Sequence, residues 1–387
     1  MDKEIIRFIR NEFRSEDFIP LHVPIFKGNE KKYINECIDS TFVSSVGPFV
    51  NKFEELMSQI TQTKKTTAVV NGTAAVQVGL RLVGVKENDE VITQALTFVA
   101  TANAIAYNNA HPVFLDVDID TMGLSPKAVE AFLEEYGELR EDGCYNKSTG
   151  RRISACMPMH TFGFPVHLDE LITICKKWSI PIVEDAAESI GSSYKGQSTG
   201  SFGEVAGFSF NGNKVITSGG GGVITTNNIE LAERAKFLTT TAKDPHPYEY
   251  FHSESGYNFR MPNLNAALGS AQLENLNKFL QSKRKLFNIY EKEFKLVEDI
   301  RIVKEKKFSK SNYWLNTIFI KNLSIKKRNQ ILKFAHKNNF FLRPVWKPLH
   351  TLKHFKKMPK MHIDVATKIY KSCINLPSSA SYFYDKK

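Results

Sequence analysis

One lysine in the sequence has neighbours suited to covalent chemistry with a carbonyl compound. Lys214 follows the apolar segment 208–210 and precedes the glycine run 219–222. Glycine lets the backbone approach a bound ligand closely, and a lysine amine can form a Schiff base with a carbonyl carbon. A lysine in a surface loop would show the same pattern, so this segment alone does not decide between the two.

Two further segments could hold other parts of such a ligand. Residues 71–75, Asn-Gly-Thr-Ala-Ala, follow a short β-branched run and open a helical pattern, and the free N–H groups at such a junction suit a phosphate. Asp185 ends the apolar segment 180–185, where a carboxylate could pair with a cationic heterocycle. Taken separately, neither segment requires a ligand. Residues 71–75 could form a strand–helix turn that binds nothing, and Asp185 could be a helix N-cap.

Taken in chain order, the three segments match what pyridoxal 5'-phosphate requires. This cofactor needs an anchor for its phosphate, a carboxylate for its pyridinium nitrogen and a lysine for its aldehyde. Gly72 with Thr73, then Asp185, then Lys214 supply these groups in turn. The sequence therefore predicts a pyridoxal phosphate site.

The elements that would position these residues alternate between strand and helix. Such alternation predicts an α/β fold with a mostly parallel sheet and helices on both faces, and ligands then bind at the carboxyl ends of the strands. The polar segment 138–152 interrupts the pattern and is predicted to be a surface insertion. The predicted strands are residues 66–70, 90–93, 111–118, 153–159, 180–185, 205–210 and 221–226.

The pattern along the chain predicts two domains. Residues 1–262 are expected to form N-terminal capping helices and the large cofactor-binding domain. Residues 263–387 are expected to form a long linking helix, ending near residue 294, and a smaller α+β domain. The charge distribution agrees with a division, because residues 281–387 contain 26 Lys and Arg against 7 Asp and Glu, a net charge of +19, whereas the preceding residues carry −8.

The chain resembles the DegT/DnrJ/EryC1/StrS family of sugar aminotransferases from about residue 19 to residue 377. The resemblance implies fold type I of the pyridoxal phosphate-dependent transferases. The N-terminal segment and the insertion before residue 151 resemble more narrowly the legionaminic-acid and bacillosamine subgroup, which acts on nucleotide-linked 4-keto-6-deoxy N-acetylhexosamines. The motifs that carry the resemblance are residues 71–75, 97–105, 111–118, 160–165, 183–189, 208–214, 219–222 and 256–269.

The resemblance also implies roles for individual residues. Lys214 would bind the cofactor aldehyde, and Asp185 would pair with the pyridine nitrogen. Phe98 would stack on the pyridine face. Glu188 stands where many members have Gln or His, near the phenolic oxygen. The phosphate-binding residues would be Gly72, Thr73, Ala74 and Ser209, together with Asn258 reaching the cofactor of the partner subunit.

The sequence gives less information on which residues contact the substrate. His160 is a candidate ligand contact, and a structural histidine explains it equally well. Arg260, Arg343 and His350 could meet a substrate carboxylate or diphosphate, with packing and surface roles equally open.

These inferences predict a homodimeric aminotransferase with shared active sites. Glutamate would donate the amino group to the 4-keto carbon of a nucleotide-linked 4-keto-6-deoxy hexosamine, for surface-glycan biosynthesis. The alternatives are a 3-amino or GDP-perosamine-type sugar aminotransferase, a pyridoxal phosphate-binding regulatory protein without turnover, and a nucleic-acid binder that uses the basic C-terminal region.

The composition argues against several other classes of protein. Five scattered cysteines without CxxC spacing argue against a disulfide framework and against a metal site. The N-terminus lacks the apolar core of a signal peptide, and no apolar run reaches the length of a transmembrane helix. We therefore expect a cytoplasmic protein with neither a membrane nor a nucleic acid as partner.

Overall fold

A computed structural model describes residues 2–13 and 17–384 of the 387-residue chain. Helices and strands alternate through its first two thirds. The α-helices are α1 (Asp2–Phe13), α2 (Glu30–Asp39), α3 (Pro48–Thr61), α4 (Gly72–Leu82), α5 (Val99–Tyr107), α6 (Pro126–Tyr136), α7 (Leu168–Lys177), α8 (Ile229–Thr239), α9 (Asn263–Glu274), α10 (Leu276–Phe294), α11 (Ile325–Lys337) and α12 (Asp364–Ser372).

The strands confirm the predicted α/β pattern. They are β1 (Lys65–Val69), β2 (Glu90–Gln94), β3 (His111–Leu115), β4 (Gly137–Arg140), β5 (Gly143–Asn146), β6 (Arg152–Met157), β7 (Val183–Asp185), β8 (Ser193–Tyr194), β9 (Gln197–Ser198), β10 (Val205–Ser209), β11 (Gly222–Thr226), β12 (Ile300–Ile302), β13 (Ser309–Lys310), β14 (Asn316–Ile320), β15 (Arg343–Pro344) and β16 (Cys373–Leu376).

The central sheet is mostly parallel. One part has the order β1-β11-β10-β7, in which β11 runs antiparallel to both neighbours and β10 pairs with β7 in parallel. The other part contains the parallel trio β3-β2-β6. Parallel bridges from Cys156 to Ile182 and from Met159 to Asp185 join the two parts. As a result β1, β6, β7 and β10 end at one edge of the sheet.

The segment predicted to be a surface insertion is part of this sheet. Strands β4 and β5 form an antiparallel hairpin that extends the sheet beyond β6. Polar residues are tolerated there because they pair with a buried carboxylate. Asn146 and Thr149 both donate hydrogen bonds to Glu90, at 2.8 Å each. The predicted surface insertion is thus a mostly exposed hairpin at the edge of the sheet, with Asn146 buried.

The long helix predicted from residue 263 is two helices. The chain leaves helical geometry at Asn275, whose φ and ψ are −103° and 3°, so that α9 ends there and α10 begins. Helices α2 and α3 pack against α9. Helix α1 instead lies against α10, where the Phe8 ring contacts Tyr290 and Phe294. The proposed boundary at residues 262 and 263 stays a prediction.

A second, antiparallel sheet follows, with the order β12-β14-β16-β15. One carboxylate ties it to the central sheet. Asp116, directly after β3, accepts hydrogen bonds from the backbone N–H groups of Asp364, Val365 and Ala366, at 2.7 to 2.8 Å. These residues begin α12, so Asp116 caps that helix from a distant part of the chain.

Across 2–13 and 17–384, the structure contains no helix with the length and apolar character needed to cross a bilayer.

Candidate active site

A cavity of about 270 Å³ opens at the edge where β1, β7 and β10 end. Lys214, Asp185 and the first turn of α4 all line it, so the structure brings together the three segments singled out in the sequence. The predicted site residues that line the cavity are Gly72, Thr73, Phe98, Asp185, Glu188, Ser209, Lys214 and Arg343. Those that do not line it are Ala74, His160, Asn258, Arg260 and His350.

The first turn of α4 has the geometry of an anion site. The N–H groups that open a helix have no partner within the helix and carry its positive end. Gly72 and Thr73 present this end to the cavity beside Ser209. A Cβ on Gly72 would lie 2.6 Å from the Ser209 Cβ, and one on Gly222 would lie 2.3 Å from the Asn71 carbonyl oxygen. Glycine is therefore required at both positions.

Ala74, which was also predicted to bind the phosphate, does not line the cavity. Its N–H donates to the side chain of Asn71, the N-cap of α4, at 2.8 Å, so the amide already has a partner. Asn71 also lines the cavity. The sequence indicates this role of Asn71, because Asn directly before a helical pattern is a preferred N-cap.

Asp185 is held rigidly at the end of β7. Its Oδ2 accepts a hydrogen bond from the Thr101 hydroxyl at 2.7 Å, and its Oδ1 accepts one from the Ala187 N–H at 3.2 Å. The residue is only 4% exposed. Burial raises the pKa of Asp185, and its two hydrogen bonds and the charge of Lys214 act in the opposite direction. Because a buried charge is costly unless it is paired, a buried carboxylate beside a cavity favours the binding of a cationic group there.

Lys214 meets a carboxylate and an aromatic ring. Its Nζ lies 3.1 Å from Oε1 of Glu188, and the lysine side chain is 12% exposed. The other Glu188 oxygen accepts a hydrogen bond from the Phe162 N–H at 2.9 Å. Burial raises the pKa of Glu188, while the charge of Lys214 lowers it. Both oxygens of Glu188 are thus occupied, and one of them fixes the lysine amine in the cavity.

Trp314 is a site residue that the sequence did not reveal. Its ring lies 4.0 Å from the Lys214 Nζ, a cation–π contact worth up to about 2 kcal/mol when desolvated. Its indole N–H donates to the Asn213 carbonyl at 2.8 Å, and its own carbonyl accepts from the buried Lys283 at 3.1 Å. Because Trp314 is about a hundred residues from Lys214, no local pattern could have shown this contact.

His160, for which a ligand contact and a structural role were both open, has contacts typical of a structural histidine. It is fully buried, and its Nε2 lies 2.9 Å from Glu184. Its Nδ1 accepts a hydrogen bond from the Val166 N–H, so Nε2 is the nitrogen that donates. Glu184 also accepts three backbone N–H groups, from residues 200, 202 and 203. His160 therefore anchors the strand next to Asp185 without facing the cavity.

Arg260 and His350, two further candidate substrate contacts, lie outside the cavity, and their roles stay predictions. Arg260 is buried against Glu54 at 3.0 Å and donates to the Ala68 carbonyl, which joins β1 to the segment before α9. His350 lies on the short 3-10 turn Leu349–Thr351, and burial lowers its pKa. Asn258 is exposed and forms a backbone bridge with Thr240.

Aromatic residues and one arginine form another part of the cavity wall. The Phe98 ring, half of it exposed, lies 6.2 Å from the Trp346 ring. Trp346 also packs against Phe162, with ring centres 4.6 Å apart. The Arg343 guanidinium carbon lies 5.9 Å from the Trp346 ring centre. This wall has an apolar surface with a single positive charge.

The fold and the cavity together define the class of protein. A mostly parallel sheet carries a lysine, a buried carboxylate and a glycine-dependent helix N-terminus at one edge, as fold type I pyridoxal phosphate-dependent enzymes require. The profile of the DegT/DnrJ/EryC1/StrS aminotransferase family matches residues 24–385. The chain belongs to this family, and its cofactor is pyridoxal phosphate.

Individual relatives agree with this assignment. The chain is 38% identical over 373 residues to EpsN of Bacillus subtilis (strain 168), with 95% of this chain and 93% of EpsN covered. It is 34% identical over 364 residues to GDP-perosamine synthase of Escherichia coli O157:H7, covering 94% of each. The solved structure of Helicobacter pylori PseC, an aminotransferase of pseudoaminic acid biosynthesis, superposes with a TM-score of 0.84 at 24% identity, covering 94% of each chain, which shows a shared fold.

Proposed function

We propose that this protein transfers an amino group from glutamate to the 4-keto carbon of a nucleotide-linked 4-keto-6-deoxy N-acetylhexosamine. The observation that carries the transfer chemistry is the Lys214 amine, held 3.1 Å from Glu188 in the cavity that Asp185 and the first turn of α4 also line. The resemblance of residues 183–189, 208–214 and 256–269 to sugar aminotransferases supports a sugar acceptor.

The residues of the cavity fit the cofactor. Gly72, Thr73 and Ser209 would hold its phosphate, and Asp185 would keep its pyridine nitrogen protonated. Phe98 would cover one ring face, and Glu188 would lie beside the phenolic oxygen. When bound, the cofactor supplies an aldehyde carbon that takes the amino group and a ring that accepts electrons.

The residues of this chain move and hold the protons. Lys214 Nζ, when it is not bonded to the cofactor, is the amine in place to take a proton from the α-carbon of the donor and return it. Glu188 and the Trp314 ring keep that amine from swinging into solvent. The aromatic rings of the cavity wall would help to keep water from the reacting atoms.

A related acceptor is the second candidate, since a GDP-perosamine synthase is 34% identical to this chain. A panel of UDP- and GDP-linked 4-keto-6-deoxy sugars, with and without a 2-acetamido group, separates the two when glutamate is the donor. We expect the largest kcat/KM with the acetamido sugar and a new amine at carbon 4, read by mass and NMR. An amine at carbon 3, or turnover of only the GDP-linked sugar without the acetamido group, would refute the proposal.

We further propose that two subunits share each active site. Asn258 is exposed and lies outside its own chain's cavity, as expected for a residue that reaches the cofactor phosphate of the partner. A Lys214→Ala chain mixed with an Asn258→Ala chain should then form dimers with one intact site. About half the wild-type activity per mixed dimer should return once subunit exchange is confirmed.

A mixture of Lys214→Ala with Asp185→Asn is the matched control. Both residues line the cavity of their own chain, so each site of that mixed dimer keeps one lesion and activity should stay low. If the Asn258 mixture also restores nothing, although the Asn258→Ala protein alone is impaired, Asn258 serves its own chain. Full activity of Asn258→Ala alone would remove the residue from the site.

A further inference from the structure

A buried asparagine joins the two residues that hold the Lys214 amine. Asn312 lies between β13 and β14, is 2% exposed and does not line the cavity. Its side-chain carbonyl accepts a hydrogen bond from the Trp314 N–H at 2.8 Å. Its side-chain amide donates to the backbone carbonyls of Glu188 and Ile190, at 2.8 and 2.9 Å. One side chain therefore connects the residue that gives Lys214 an aromatic contact with the residue that gives it a carboxylate.

Asn312 also supports the turn that holds the second carboxylate oxygen of Glu188. The Asn312 N–H donates to the Ser192 hydroxyl at 2.9 Å, and that hydroxyl donates to the Gly163 carbonyl at 2.8 Å. Gly163 has a φ of 94°, and a Cβ there would overlap the Asn312 side-chain oxygen, so glycine is required for this close approach. The residue before it, Phe162, donates its N–H to Glu188 at 2.9 Å.

The turn needs this support because its backbone conformation is unfavourable. Phe162 has φ and ψ of 54° and 19°, in the left-handed region that a bulky residue seldom adopts. Such a conformation persists only where the surrounding structure enforces it. The Phe162 ring lies 6.2 Å from the Trp314 ring and 4.6 Å from the Trp346 ring. Asn312 thus fixes Glu188 directly at its carbonyl and, by way of the turn, at its carboxylate.

The two contacts of Lys214 come from distant parts of the chain. Glu188 follows β7 of the central sheet, whereas Trp314 precedes β14 of the second sheet. The Lys214 Nζ lies 3.1 Å from the Glu188 carboxylate and 4.0 Å from the centre of the Trp314 ring. Both contacts last only while these two parts keep their relative position, and Asn312 connects them within one subunit. A shift of about 1 Å in a reacting group can lower a rate about 100-fold.

We propose that Asn312 is a positioning residue for the transfer reaction. It sets the position of the Trp314 ring relative to Glu188 and thereby places the Lys214 amine where it takes and returns the proton. Asn312 acts through these residues, because its own side chain does not line the cavity. The inference rests on the proposed function of Lys214 and adds to it the residue that keeps the amine in place.

The test begins with Asn312→Ala in the holoenzyme. We expect kcat to fall by about 10- to 100-fold, because the amine loses its fixed place. The KM values for glutamate and the keto-sugar should change by less than about threefold, because no group that binds them is removed. The visible circular dichroism of the bound cofactor, compared at equal occupancy, should weaken. Asn312→Asp keeps the acceptor for the Trp314 N–H and loses the donors to the two carbonyls, so its loss of kcat should be smaller, about three- to tenfold.

A double-mutant cycle separates positioning from an effect on stability. Trp314→Leu removes the ring that Asn312 aligns with Glu188, so adding Asn312→Ala to it should lower kcat further by less than about threefold. Asn146→Ala is the matched control. Asn146 is also fully buried and donates to a buried carboxylate, that of Glu90, but it lies outside the cavity. Its loss should lower the melting temperature and leave kcat and the dichroism unchanged.

Each outcome decides between a positioning role and a purely structural one. If Asn312→Ala lowers only the melting temperature, as Asn146→Ala does, or if its full loss of kcat persists beside Trp314→Leu, the proposal is wrong. If the wild-type protein shows no transfer from glutamate, but the dichroism depends on Asn312 and that dependence vanishes beside Trp314→Leu, the positioning role stands and the proposed function fails. Should Asn312→Ala not fold or not bind the cofactor, Asn312→Asp decides in the same way.

Discussion

Replacing Lys214 with alanine is expected to lower the rate of amino-group transfer by about 10³-fold or more. If Lys214 has the proposed roles, the substitution removes both the covalent anchor of the cofactor and the amine that moves the proton at the donor carbon. Steady-state rates with glutamate and the keto-sugar measure the loss. Borohydride reduction of the wild-type protein, followed by peptide mapping, should place the cofactor on Lys214.

Two controls accompany this prediction. Adding a small amine such as methylamine to Lys214→Ala should restore part of the rate, because a free amine can carry the proton across the vacated space. Lys195→Ala removes an exposed lysine that pairs with Asp169, outside the cavity, and should leave the rate unchanged. Mapping of the cofactor to any lysine other than Lys214 would contradict the assignment.

Asp185→Asn is expected to keep the fold and part of the cofactor affinity while losing about 10²-fold or more in turnover. The amide can still accept the hydrogen bond from Thr101, but it carries no charge to keep the pyridine nitrogen protonated. The measurement is kcat at saturating cofactor, with the absorbance spectrum as the measure of occupancy.

Thr101→Val separates the charge of Asp185 from its position. It removes the hydrogen bond to Oδ2 and leaves the carboxylate, so the expected loss is about tenfold or less. Near-normal turnover in Asp185→Asn would show that the carboxylate does not act on the cofactor ring. Equal losses in both variants would show that the position of Asp185, and not its charge, matters.

The sequence could predict those site residues that each lie in a short local motif at the end of a strand. Gly72 and Lys214 each come shortly after a short β-strand and Asp185 ends one, and the parallel direction of these strands brings their ends to one edge. Trp314 could not be predicted in the same way. Its place beside Lys214 depends on a contact between the C-terminal part of the chain and the turn after β10.

Buried polar pairs could not be predicted from the sequence. His160 and Arg260 have the residue types of substrate contacts, but Glu184 and Glu54 occupy them inside the protein. The sequence held a partial signal for the first pair, because Glu184 stands in an apolar strand where a charged residue needs a partner. Asn146 is a second case. It stands in a polar segment, which predicts exposure, but its side chain is buried and donates a hydrogen bond to Glu90.

The cap that Asp116 places on α12 links the two sheets. Helix α12 leads directly into β16, and β16 pairs with β15 through the register of Arg343 with Asn375. A fragment that begins after residue 262 would lack Asp116, and the first three amides of α12 would lose their acceptors. We therefore expect the position of the arginine at the cavity to be sensitive to a carboxylate that follows a strand of the other sheet, and such a fragment to be less protected against hydrogen exchange than the same residues in the whole protein.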